Sequence, residues 1–175
     1  MAGLHIRAAR DADRDALRDV TLSAYEEYAA SMPPPHWEAY RQNILAALAD
    51  VQPALQIVAE RDGAVVGTVL LYPAGTAVVT PARASITLPW PEVRLLAVAP
   101  PARGQGVGAA LMRECTRQAR LTGAGALTLH TTDVMRVAMR LYERMGFVRA
   151  PELDFHPTPG VIIKGYRLDL DDSPL

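Results

Sequence analysis

Between Glu92 and Gly108 the chain reads Glu-Val-Arg-Leu-Leu-Ala-Val-Ala-Pro-Pro-Ala-Arg-Gly-Gln-Gly-Val-Gly. Arg103 followed by Gly104, Gly106 and Gly108 is a set of residue types that can hold an anion against bare backbone. The glycines stand where a helix is expected to begin. A helix N-terminus presents unpaired N–H groups at the positive end of its dipole, so a phosphate-bearing ligand suits this stretch. Taken alone, Gly104-Gln105-Gly106-Val107-Gly108-Ala109 also satisfies the dinucleotide pattern G-x-G-x-x-G/A, with Asp133 near the place of a ribose-binding acid. Against that reading, an antiparallel hairpin precedes the unit and too little chain follows for a full doubly wound sheet. A Walker A loop is excluded because no Gly-Lys-Ser/Thr follows. Cys115 falls on the apolar arc of the next helix and reads as a packed small hydrophobe rather than a nucleophile. His5, His36 and His156 have no metal-ligand spacing, so no metal is expected.

These residues need a strand before the turn and a helix after it. Apolar, partly β-branched Val93 to Val98 predicts the strand, ended by Pro100-Pro101. A helix follows from about Gly106 to Thr122. Gly108, Leu111, Met112, Cys115 and Ala119 share one arc of it, opposite Arg113, Glu114, Arg117 and Arg120, and Gly123-Ala124-Gly125 stops it. Ala126 to Thr131 then reads as a strand, so Glu92 to Thr131 forms a strand–helix–strand unit with a parallel pair. Upstream, Leu4 to Ala8 predicts a first strand. Asp11 or Asp13 caps a helix with the stripe Ala16, Leu17, Val20, Ala24 and Tyr28. Ser31 to Pro35 separates it from a second helix, about Trp37 to Ala49. Leu55–Ala59 and Val65–Tyr72 form a hairpin across Arg61-Asp62-Gly63-Ala64. Residues 73–91, with four prolines, read either as a long loop or as a loop carrying a short strand. A helix from about Val134 to Met145, stopped by Gly146, precedes closing strands at Phe147–Arg149 and Val161–Leu170. Asp171 to Leu175 is expected to fray.

The whole is bounded by composition. The 175 residues are 50% hydrophobic and carry 18 basic against 19 acidic side chains, a net charge of −1. One domain spanning 1–175 is expected. Near-neutral charge gives no field favouring nucleic acid or an anionic membrane. The longest apolar run, Ala64 to Ala74, is too short for a membrane span. The single cysteine excludes an internal disulfide, and no N-terminal signal pattern appears, so a cytoplasmic protein is expected.

A fuller pattern is more specific than the glycines alone. Leu96-Ala97-Val98-Ala99-Pro100 followed by Arg103-Gly104-Gln105-Gly106-Val107-Gly108-Ala109-Ala110-Leu111 resembles motif A of the GCN5-related N-acetyltransferases (GNAT family), whose signature is Arg/Gln-x-x-Gly-x-Gly/Ala. Ala138, Leu141, Tyr142 and Met145-Gly146-Phe147 resemble the family's downstream Ala-x-x-x-Tyr-x-x-x-Gly-Phe segment. The resemblance covers nearly the whole chain. It implies an α/β (α+β) fold: a mixed, mostly antiparallel central sheet with a splayed parallel strand pair, flanked by helices. It also implies acetyl-CoA as co-substrate, lying between Leu95–Ala99 and Leu127–Thr131. Backbone of Leu96, Ala97 and Val98 would bond the pantetheine arm, and the amides of Arg103 through Gly108, with Gln105 and Val107 among them, would hold the pyrophosphate. A Cβ at Gly106 or Gly108 would keep the phosphates away.

The implied reaction moves an acetyl group to an amine. An alkylammonium has a pKa near 10, so a base must take its proton at neutral pH. The resemblance puts Glu92 first for that role; the alternative is a solvated strand-end acid or a partner of Arg94. His130, ending the second parallel strand, is the other candidate base. Tyr142 resembles the tyrosine that donates a proton to the departing thiolate, the alternative being a core tyrosine, and Ala138 one turn earlier keeps that face small. One departure matters: many members carry an asparagine where this chain has Met135, and Asp133 or Thr132 would have to compensate.

The acceptor pocket implied by the fold involves Tyr25, Tyr28, Met32, Trp37 and Tyr40, with Asp154, Phe155 and His156. Asp154 would attract an ammonium and the aromatics would pack on an apolar body. The expected acceptor is a primary amine of a small molecule or peptide, with direct transfer in a ternary complex on a monomer or homodimer. Two other readings stand: a catalytically weak acyl-CoA-binding module, and a nucleotide-dependent oxidoreductase using the glycine turn.

Overall fold

A computed structural model describes residues 3–49, 55–79, 85–157 and 159–170. In chain order these form β1 (His5–Ala8), α1 (Arg14–Tyr25), α2 (Pro34–Ala49), β2 (Leu55–Arg61), β3 (Ala64–Tyr72), β4 (Ala77–Val79), β5 (Ser85–Thr87), β6 (Glu92–Val98), α3 (Val107–Leu121), β7 (Ala126–Thr131), α4 (Arg136–Arg144), β8 (Val148–Arg149) and β9 (Lys164–Asp169). Seven strands make a mixed sheet, flanked by helices, in which β6 and β7 run parallel and the other registered pairs are antiparallel. This is the α+β arrangement expected. The chain divides into two compact units, Met1–Leu71 with Leu95–Glu114, and Tyr72–Arg94 with Cys115–Leu175. Among the described residues no helix is long and apolar enough to cross a membrane.

In the first unit β1 pairs with β2 and β2 with β3, all antiparallel. The β2–β3 loop is Asp62-Gly63, both at positive φ (53° and 78°), which matches the twist of a two-residue hairpin. On α1 the buried residues are Leu17, Thr21, Ala24 and Tyr25, so the face is rotated from the predicted stripe, and Val20 and Tyr28 are only half-buried. Thr21 can go inside because its hydroxyl donates to Leu17 C=O (2.8 Å) and meets Thr68 Oγ1 (2.9 Å), leaving no polar atom unpaired. Asp13 does not bond the α1 amides as a cap. Its carboxylate accepts from Arg7 (2.6 Å) and from Arg10 N–H (2.7 Å). α2 begins at Pro34, ahead of the predicted Trp37, since proline is tolerated in a first helical turn. At Gly67 on β3 a Cβ would meet Val107 Cγ1 at 2.7 Å and Leu111 Cδ1 at 3.0 Å. The start of α3 is therefore seated against β3, where only glycine leaves room.

In the second unit β7 is flanked by Glu92–Val93 of β6 and by β9, with β8 at the edge. β4 and β5 form a separate two-stranded hairpin inside the stretch that had read as loop or short strand. α4 is shorter than predicted, with Met135 and Met145 as its caps. β9 starts at Lys164 rather than Val161; Val161 and Ile162 stay exposed and only Ile163 bridges, to Phe155. The turn Pro151–Leu153 packs on β9 at Gly165, where a Cβ would overlap Leu153 Cβ and lie 2.9 Å from Ala150 O. The predicted fraying of residues 171–175 lies outside the described residues.

Candidate active site

The glycine turn belongs to the first unit. Pro100–Ala102 forms a 3-10 turn, Arg103 to Gly106 continue it, and α3 starts at Val107. Gly104 and Gly106 have φ of 71° and 79°, a conformation that costs an L-residue about 1–2 kcal/mol. A Cβ at either would meet nothing within 4 Å. Here the glycines answer to backbone conformation, and Gly108 instead lies inside the helix. Ala110 N–H bonds Gly106 C=O at 3.0 Å, so the amides of Val107, Gly108 and Ala109 come ahead of the helical ladder. Arg103 is held in place: Nη1 donates to Glu27 (2.6 Å), Nη2 to Ala24 C=O (3.2 Å) and Nε to Val98 C=O (3.3 Å). The side chain of Gln105 donates to Pro101 C=O (2.9 Å) and accepts from Arg61. Both side chains brace the turn. Ala97 is buried, while Leu96 and Val98 are partly exposed.

The strand leading into the turn carries a feature the sequence did not signal. Leu95 has φ 51°, a left-handed conformation that is an outlier for a bulky residue. The parallel register with β7 covers Glu92↔Thr128 and Val93↔Leu129, so the strained residue comes just past the last registered pair.

In the second unit Glu92 is 5% exposed, a buried acid rather than a solvated one. Its Oε1 lies 3.5 Å from Arg94 Nε and its Oε2 lies 3.3 Å from His130 Nδ1. Arg94 stacks over the Tyr72 ring at 5.5 Å. The other nitrogen of His130 lies 2.9 Å from Leu153 C=O, and Phe155 meets the ring edge-on at 5.3 Å. Burial pulls the His130 pKa down, but the bond to Glu92, its charge and the Leu153 carbonyl outweigh it and hold the value above the usual one. The two candidate bases thus form one cluster.

Tyr142 is buried on α4 with its ring 6.0 Å from Phe147, and Ala138 sits one turn earlier. Met135 caps α4 without a side-chain bond. Asp133 pairs with Lys164, whereas the buried hydroxyls of Thr131 and Thr132 have no hydrogen-bond partner among the described residues. Unpaired buried hydroxyls are uncommon.

Of the expected acceptor residues, Tyr25, Tyr28, Tyr40 and Trp37 come together. Tyr25 meets Tyr28 at 5.9 Å and Tyr40 at 6.1 Å, and Trp37 meets Tyr40 at 6.2 Å, all edge-to-face. Burial and the adjacent Glu27 push the Tyr28 phenol up to about 12. Asp154 stands apart from these aromatics in sequence and is already bonded. Arg149 grips both its oxygens (2.9 and 2.8 Å) and Gly165 N–H donates at 2.8 Å, so bonding to Arg149 first, then to Gly165, lowers its pKa. It ties the Pro151–Leu153 turn to β9, and Arg149 was not foreseen. Among the described residues no group of side chains could hold a metal ion.

The acetyltransferase (GNAT) family model matches residues 17–147, and the chain belongs to that family. Over 50 residues it is 50% identical to streptothricin acetyltransferase of Streptomyces lavendulae, a match covering 29% of this chain and 26% of that one. The chain thus spans about a quarter of that relative's length. It resembles a GNAT acetyltransferase from Brucella melitensis, solved with acetyl-CoA, at TM-score 0.61 and 26% identity over 99% of this chain and 93% of that one. The PaiA N-acetyltransferase of Thermoplasma acidophilum, solved with coenzyme A, has the same fold, with TM-score 0.71 at 16% identity over 96% and 99% of the two chains.

Proposed function

We propose that this chain, acting as a single catalytic domain, is an acetyl-CoA-dependent N-acetyltransferase that moves the acetyl group directly to a primary amine of a small molecule or peptide. The observation that carries the reading is the braced turn, with Gly104 and Gly106 left-handed immediately ahead of the α3 amides. Acetyl-CoA supplies the activated thioester. The turn's backbone N–H groups receive its pyrophosphate, and Leu96, Ala97 and Val98 offer strand backbone to its arm. The hydroxyls of Thr131 and Thr132, unpaired among the described residues, are groups with which the amides of a pantetheine arm can pair.

Glu92 takes the proton from the acceptor nitrogen, directly or through a water. The nitrogen bonds to the acetyl carbon as the carbon–sulfur bond breaks. Tyr142 gives its phenolic proton to the leaving sulfur. The nitrogen, which begins as an ammonium, sheds its second proton to solvent as the amide forms, and the proton gained by Glu92 returns to the phenolate through solvent. Tyr25, Tyr28, Trp37 and Tyr40 offer an aromatic surface to the acceptor. The relatives solved with CoA or acetyl-CoA support the co-substrate. Thermal unfolding in CoA, acetyl-CoA and NAD tests the reading: stabilisation by the first two is expected, and stabilisation by NAD alone overturns it. Stabilisation by acetyl-CoA without CoA release on any amine would favour the binding-module alternative.

A further inference from the structure

Resting on that reading, we propose that His130 serves as a positively charged positioning residue for Glu92 and not as the group that takes the proton from the amine. Nε2 of His130 lies 2.9 Å from the Leu153 carbonyl oxygen and Nδ1 lies 3.3 Å from Glu92 Oε2. A carbonyl oxygen only accepts, so Nε2 carries a hydrogen there. Glu92 acts as the base of the proposed reaction only as a carboxylate, which only accepts, so in that reading Nδ1 carries the other. A ring with both hydrogens is an imidazolium and has no lone pair for an incoming proton. A neutral ring that kept its bond to Leu153 would turn a lone pair toward the carboxylate and repel it.

The surroundings fix this arrangement. The Leu153 carbonyl is held by the turn seated on Gly165 and tied by Asp154 to Arg149. Phe155 packs edge-on against the imidazole at 5.3 Å. The second oxygen of Glu92 meets Arg94, so the carboxylate is clamped between two cations, one of them on its own strand. The charged groups around His130 are Glu92 and Arg94 from β6 and Asp154 beyond the turn. On β9, Lys164 sits one register position away and is paired with Asp133. The pair with Glu92 keeps the imidazole protonated to higher pH than an isolated histidine.

The two roles give opposite pH dependence. For a positioning cation, the transfer rate falls as pH rises through the His130 titration. For a base, it climbs through that same titration. The test is ¹⁵N NMR titration of the His130 ring in the wild type and in Glu92→Gln, together with single-turnover rates of wild type and His130→Gln at saturating acetyl-CoA and amine. Glutamine keeps an N–H donor and does not titrate. We expect both ring nitrogens protonated at neutral pH and a lower midpoint in Glu92→Gln. We also expect an alkaline fall in the wild-type rate that His130→Gln lacks, while that variant retains transfer at about a tenth of the rate.

A ring with a free lone pair at neutral pH, or a loss of about 10²-fold or more in His130→Gln with no alkaline fall in the wild type, overturns the proposal. The NMR readout needs no substrate, so the two failures separate. A neutral ring in a protein that acetylates amines sinks the positioning role alone. A protonated ring in a protein that acetylates nothing sinks the functional reading, and the positioning role falls with it.

Discussion

Replacing Gly106 by alanine separates what the backbone needs at the turn from what a ligand needs. Gly106 has φ 79°, and an added Cβ would meet nothing within 4 Å. The folded-state cost is therefore conformational, about 1–2 kcal/mol for a left-handed L-residue. Alanine also restricts the unfolded chain, which returns about 0.4–1 kcal/mol. The net loss is about 1 kcal/mol, or roughly 2–4 °C in Tm for a chain of this size. Gly123, at the other end of α3, is matched for strain, with φ 72° and open space around its Cβ. Gly123→Ala should lose the same few degrees and bind CoA as the wild type does. Gly106→Ala should bind CoA at least about tenfold more weakly by titration calorimetry, a difference of about 1.4 kcal/mol, because in the proposed reading its methyl would stand where the phosphates approach the amides. Equal affinity in Gly106→Ala and wild-type proteins, or an equal loss in Gly123→Ala, would refute the assignment of the turn.

Three further outcomes follow from the geometry. Tyr142→Phe should lower kcat by about 10²-fold or more while leaving acetyl-CoA affinity within about twofold; unchanged turnover at saturating substrates removes it as the acid. Thr131→Val and Thr132→Val delete hydroxyls unpaired among the described residues, so the free protein should melt at the same or a higher temperature while CoA binds roughly two- to tenfold more weakly. A lower Tm with unchanged affinity would show that the hydroxyls serve the fold. Asp13 is held down to about 2, chiefly by its bond to Arg7. Its stabilisation is fully present above the unfolded carboxylate range near 4 and is lost as pH falls from there toward 2. After allowance for solvent screening this is worth roughly 1–2 kcal/mol, so Asp13→Asn should flatten the acid side of a Tm-against-pH curve. An acid limb as steep as the wild type's would contradict the pairing.

Much of the fold was legible because the signals were local. Asp62-Gly63 announced a hairpin that the structure forms, with Arg61 opposite Ala64 across the turn. The glycines and prolines around α3 bounded it within a residue or so. Long-range pairings were not legible. The inward turn of Thr21 depends on Thr68, 47 residues away, so an apolar stripe alone misplaced the α1 face. Gly67 looked like any strand glycine until α3 was seen to press on it. At the site, the sequence brought Glu92 and His130 forward as rivals. Only tertiary structure could pair them, because Leu153, which fixes the ring, carries no side-chain signal for a backbone carbonyl. Asp154 read as a lure for an ammonium because a sequence cannot show that Arg149 and Gly165 already hold it.

Acetyl transfer to an amine leaves two products, acetylated acceptor and free CoA, and both can be measured. The purified protein is incubated with acetyl-CoA and a panel of primary amines and peptides, with acetylated acceptor followed by mass spectrometry and free CoA thiol measured in parallel. At least one amine should be acetylated in a one-to-one ratio with CoA released, dependent on both substrates and diminished in Tyr142→Phe. CoA released without acetylated amine, or acetylation at the same rate in Tyr142→Phe and Glu92→Gln as in the wild type, would contradict the proposed transfer.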